Sequence, residues 1–106
     1  MNELIKKIED WAKERGLDKA EPNAQFLKVS EEFGELAQGM AKHKPLQITD
    51  SQGDLIVTLV ILNMQQRYNG IIDHDLTECL QFAYDEIKDR KGKMVDGVFV
   101  KEEDLL

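Results

Sequence analysis

Lys28-Val-Ser-Glu-Glu-Phe-Gly-Glu35, followed further on by Gly53-Asp54-Leu-Ile-Val-Thr-Leu-Val-Ile-Leu62, decides how this chain reads. Each helical residue turns about 100° from the last. With Glu32 as origin, Glu35 lies about 60° to one side and Leu36 about 40° to the other, and Lys28 shares the sector of the two acids one turn earlier. Phe26, Val29, Phe33, Leu36 and Met40 recur at the spacing of a core-facing stripe. Glu32 and Glu35 therefore border the expected buried face. Like charges so close cost a few tenths of a kcal/mol per pair, roughly, and a bound cation would remove that cost.

The second stretch is apolar all the way round if helical, and such a helix is buried. Its β-branched residues also suit a strand. However, Asp54 to Asn69 contains neither Gly nor Pro, which is long for a strand, and no other strand run lies nearby. A helix is predicted from about Leu46 to Tyr68. An acid heading a buried helix must be paired, protonated or metal-bound. Glu32 and Glu35 on one helix and Asp54 on its neighbour could ligate a hard cation, and oxygen ligands favour Mg²⁺, Mn²⁺ or Ca²⁺ over zinc. Thr49 to Gln52 fits a capping box, which would start this helix later and leave Asp50 as a first-turn acid.

Outward from this centre, Leu4, Ile5, Ile8, Trp11 and Ala12 predict a first helix with Trp11 in the core and Gly16 as its stop. Pro22 suits the first turn of the second helix, which should reach about Lys42. Gly34 and Gly39 within it suggest close approach of a backbone or ligand. Asn69-Gly70 reads as a turn. Asp75 and Glu78 form a second capping box, and Leu76, Cys79, Leu80, Ala83 and Ile87 share one face of a helix ending near Lys91-Gly92. Lys88, Arg90, Lys91 and Lys93 read either as cations in a last helical turn or as a phosphate clamp. Met94 to Val100 predicts a hairpin turning at Asp96-Gly97. His43 reads as solvated, Cys79 as buried filler, and the acidic tail as a solvated end.

At 106 residues one domain is expected, with a small core. The net charge of −7 argues against nucleic acid as a partner, and the single cysteine excludes an internal disulfide and fits a reducing compartment. There is no signal-peptide layout and no membrane-length apolar run, so a soluble cytoplasmic protein is expected. A helix apolar on every side needs more cover than three other helices supply, which predicts a homodimer or homotetramer. The fold class expected is all-α, a four-helix bundle-like chain with a short C-terminal β-hairpin.

On Glu31-Glu32-x-x-Glu35, a spacer and Gly53-Asp54-Leu-Ile-Val, the chain resembles the MazG-like nucleotide pyrophosphohydrolases of the all-α NTP pyrophosphatase superfamily. The tail from Lys88 to Val100 resembles that of the small phage and Gram-positive members. The family pattern closes on Glu-x-x-Asp; here Asp54 matches, Ser51 stands where the Glu would be, and Asp50 stands one residue earlier. The resemblance implies Mg²⁺-dependent (or Mn²⁺-dependent) hydrolysis of a nucleoside triphosphate to the monophosphate and pyrophosphate. It implies metal-ligand roles for Glu32, Glu35 and Asp54, with Asp50 as substitute for the missing Glu. Glu31 would be a supporting acid or the base that takes a proton from water. Lys28, Arg90, Lys91 and Lys93 could hold phosphates, and Asn63 is either a nucleobase contact or a satisfied core amide. The alternatives are a helical interaction module without activity, and a pyrophosphohydrolase of another nucleotide such as phosphoribosyl-ATP.

Overall fold

The structure, a computed structural model, describes residues 2–105. Helix α1 spans Asn2–Glu14, α2 Pro22–Ala41, α3 Pro45–Tyr68 and α4 Leu76–Ile87; strands β1 (Gly92–Val95) and β2 (Val98–Lys101) follow. Short 3₁₀ turns lie at Leu17–Lys19 and Glu102–Asp104. Prolines open α2 and α3, where a missing N–H costs nothing. Gly16 leaves α1 at φ 70°, a left-handed conformation that glycine adopts without strain. The mostly helical expectation, with one antiparallel hairpin, holds.

Backbone contacts divide the chain into one compact unit ending at Leu76 and another beginning at Thr77. In the first, α2 and α3 form an antiparallel hairpin across a three-residue loop, and α1 packs on the C-terminal half of α3. Ile5 and Ala12 meet Val60, Ile61 and Met64, with Ile8, Leu17, Val57 and Leu76 around them. Polar ties fix this end: Gln65 Nε2 donates to Leu17 O (2.9 Å), Asn69 Nδ2 to Ala20 O (3.1 Å), and Arg67 Nη2 to Glu9 Oε2 (2.7 Å). Ile61→Ala should cost about 2–5 kcal/mol, the usual range for emptying an aliphatic core site. Urea denaturation checks it; a loss under about 1 kcal/mol would mean that Ile61 does not anchor this core.

Several expected details change. Trp11 is 45% exposed and lies under the Arg15 guanidinium, 4.2 Å from the ring centre. The buried stripe of α2 is not Phe26-Phe33-Met40, which are 58–64% exposed. Gln25 and Gly39 are buried and Val29, Glu32 and Leu36 half-buried, so the inward stripe is rotated by roughly a quarter turn. Along α3, burial concentrates in residues 60–65, while Ile56 and Leu59 keep 39% and 37% exposure. Thr49 is no cap: its hydroxyl donates to Pro45 O inside the helix (2.9 Å). Of the two glycines in α2, only Gly39 permits a close approach, since a Cβ there would meet Ile48 N at 3.3 Å; around Gly34 there is open space.

In the second unit, α4 stops at Ile87, earlier than expected, and Leu80, Phe82, Tyr84 and Ile87 are exposed. The hairpin turns at Asp96 and Gly97, both at positive φ, as a two-residue turn matching strand twist requires.

Candidate functional site: a carboxylate cluster on the helical hairpin

The antiparallel register of α2 and α3 brings four acids together. Gln25 on α2 faces Thr58 on α3, and Gly39 faces Ile48. Between these points Glu32 and Glu35 come level with Asp54 and Asp50. Each acid of the group acts on others: the Glu32 carboxyl lies in hydrogen-bond reach of Glu35 and feels the charges of Glu35, Asp54 and Asp50. Asp54 lies in reach of Asp50 and feels Asp50 and Glu35.

The electrostatics follow from this crowding. Burial first, then the negative charge of Glu35 and Asp54, pushes the Glu32 carboxyl above the usual carboxylate range. Burial first, then Asp50, does the same to Asp54. Glu32 Oε2 is sealed from solvent with no hydrogen-bond donor beside it; the Glu35 carboxyl in reach donates only when protonated. Among the described residues no Lys, Arg or His forms an ion pair with any of the four. Such a group can hold its charges only with a proton or a cation between them.

Helical phase explains where the fourth acid stands. Ser51, only 2% exposed, lies on the α3 stripe that faces α2, with Gln47, Asp54 and Thr58. Asp50 is exposed at the edge of that stripe, next to Asp54. It is the sixth residue of α3, beyond the first turn, so a cap role is out of reach; the cap position is Lys44. Glu31 and Lys28 are exposed on α2. As the side chains stand, no group of three or more His, Cys, Asp or Glu among the described residues is disposed to hold a metal ion. The carboxyls instead pair as Glu32 with Glu35 and Asp50 with Asp54.

Other anticipated residues lie elsewhere. Asn63 is buried, donates from Nδ2 to His74 O (3.1 Å) and accepts from Arg67 Nε (2.9 Å). That is the satisfied core amide, and a nucleobase would have to displace both bonds. Arg90 and Lys91 follow the end of α4 and are not part of its last turn. In the second unit they line a cleft of about 770 Å³ together with Lys101, Glu86, Asp89, Glu102 and Glu103. Lys93 sits on β1 paired with Val100 and does not line that cleft. The cleft thus carries four acids against three bases, unlike a bare phosphate clamp. Gln25, Gln47 and Lys101 leave no mark in the sequence, because a glutamine in a helix or a lysine in a strand gives no periodic signal of its own.

Among known proteins, one similarity stands out. The chain is 46% identical over 74 residues to an uncharacterized 18.2 kDa protein from the rep-hol intergenic region of Haemophilus phage HP1 (strain HP1c1). The match covers 69% of this chain and 45% of the phage protein, so the chain spans less than half of that relative. No family model matches the chain, and no solved structure matches it significantly. Among the described residues no helix is long and apolar enough to cross a membrane.

Proposed function

We propose that this chain is a metal-dependent nucleoside triphosphate pyrophosphohydrolase. The observation that carries the reading is the sealed, donorless Glu32 Oε2 inside a group of four carboxylates with no cation of the protein's own. The resemblance at Glu31-Glu32-x-x-Glu35 and Gly53-Asp54 points the same way. Glu32, Glu35 and Asp54 would hold Mg²⁺ or Mn²⁺, with Asp50 as the fourth acid. When bound, the cation would neutralise the triphosphate and ease ionisation of the attacking water. The protein's own groups do the rest. Glu31, exposed beside Glu32, accepts the proton of the water as its oxygen bonds to the α-phosphorus. The bond from that phosphorus to the bridging oxygen breaks, and pyrophosphate leaves. Lys28 lies in the sector of Glu32, one turn earlier, and meets a phosphate that the carboxylates alone repel. Cys79 forms no disulfide, in keeping with a cytoplasmic setting.

A rival reading has its own support. Ser51 in place of the family's Glu, and four acids not yet arranged as a cage, suit an interaction module without activity. Pyrophosphate release separates the two. With Mg²⁺ or Mn²⁺ and a panel of nucleoside triphosphates, the wild type is expected to release pyrophosphate and Glu35→Gln to lose at least a hundredfold. Asp50→Asn should lose tenfold or more at low metal and recover partly at high metal. No release from any triphosphate would favour the module, and release from phosphoribosyl-ATP alone would favour the other nucleotide class.

A further inference from the structure

We propose that Gln25 and Gln47 are positioning residues that set the spacing of the four carboxylates by fixing the register of α2 against α3. The inference rests on the metal-site reading above and concerns how that site is held. Gln25 is 8% exposed and its Nε2 donates across the helix pair to Thr58 O at 3.0 Å. The Thr58 hydroxyl in turn donates to Asp54 O at 2.9 Å and to Leu55 O at 3.0 Å. At the other end Gln47 Nε2 donates to Glu35 O at 2.9 Å and to Gln38 Oε1 at 3.1 Å. The acids lie between these two crossings: Gln25 is two turns before Glu32, and Gln47 is one turn before Asp50.

The seam needs such devices. Around the acids its positions are Glu32, Ser51 and Thr58, which are polar and interlock poorly, with only the half-buried Val29 and Leu36 as apolar members on α2. Large apolar knobs normally fix helix register; here Phe26, Phe33 and Met40 point elsewhere. Without a cation the four acids push α2 and α3 apart. Two directional hydrogen bonds, each from a side chain of one helix to a backbone carbonyl of the other, resist both sliding and separation. Both acceptor carbonyls lie within one turn of a member of the cluster, or on it: Thr58 follows Asp54, and Glu35 is itself a member.

Methionine has the length of glutamine without its donor, so Gln25→Met with Gln47→Met removes both crossings at little change in volume. Gln81→Met is the control, since Gln81 Nε2 bonds only along α4 to Asp85 at 3.0 Å. Free Mn²⁺ is read by electron paramagnetic resonance at a temperature well below melting, and melting is followed by circular dichroism. Partners behind metal ligands commonly govern affinity by about 10–100-fold. The double variant should melt within a few degrees of wild type and bind Mn²⁺ at least tenfold more weakly, with Gln81→Met unchanged. Should the double variant unfold, the two single variants are compared in the same way. Unaltered Mn²⁺ affinity in folded variants overturns the positioning role and leaves the site reading standing. Wild-type protein that binds no Mn²⁺ overturns both.

Discussion

Metal-free protein is expected to lose thermal stability as the pH rises above the ordinary carboxylate range, and Mn²⁺ is expected to restore it. The sign follows from the two raised carboxyls. Glu32 and Asp54 hold protons more tightly in the folded state than in the unfolded chain, where their ordinary values are 4.5 and 3.8. The stability they contribute is complete below those values and disappears as the pH passes upward through the raised ones. Above the raised values the folded state carries crowded charges that only a cation relieves. A ligand that binds only the folded state at one hundred times its Kd stabilises by about 2.7 kcal/mol. For a domain of this size that is roughly 10 °C or more in Tm. Glu32→Gln should raise the metal-free Tm at pH 8, flatten its slope with pH and abolish the Mn²⁺ response. Calorimetry of both proteins at several pH values decides it; the same slope in wild type and variant would show that Glu32 is not the titrating group.

The second large effect concerns assembly. Phe26, Phe33 and Met40 align on one side of α2 at 58%, 64% and 60% exposure, with Ala37 between them. Scattered apolar residues on a surface are ordinary, but an aligned stripe of this kind marks a contact. We propose that a second copy covers it, giving a homodimer or homotetramer. In a two-fold interface every residue is used twice. Burying one phenylalanine is worth about 1.5–3 kcal/mol. Phe33→Asp should therefore weaken association by roughly 10²–10⁴-fold. Sedimentation at micromolar concentration should show a dimer or tetramer for wild type and a monomer for Phe33→Asp. A folded wild-type monomer at those concentrations would end the proposal.

The comparison of α2 with its sequence shows what could be read in advance. Helix bounds were legible because Pro22, Pro45 and Gly16 act locally, through φ and a missing N–H. The meeting of Glu32, Glu35, Asp50 and Asp54 was legible because helical phase and a short loop nearly determine it. The buried face of α2 was not. Periodicity picks the most apolar stripe, but here the inward stripe mixes Gln25, Glu32 and Gly39 with Val29 and Leu36. The more apolar stripe is left outside. Hydrophobicity alone does not tell which stripe the chain closes by itself. Trp11 misled for a related reason: its ring is amphipathic and finds a partner in Arg15 at the surface. The end of α4 was misplaced because the basic run resembles a helix terminus without being one.

Helix α3 is held unequally along its length. Its later half, residues 60–65, is clasped by α1 and by the ties from Gln65, Arg67 and Asn69, whereas its earlier half leans on α2 alone across a mostly polar seam. Local opening is governed by such differences in burial and anchoring. The earlier half is the less anchored of the two, and what holds it are the Gln25 and Gln47 crossings to α2. Asp50 and Asp54 ride on that half; Glu32 stands on the facing helix. Anything that loosens those crossings therefore reaches the carboxyl pairs before it reaches the apolar core around Val60, Ile61 and Met64.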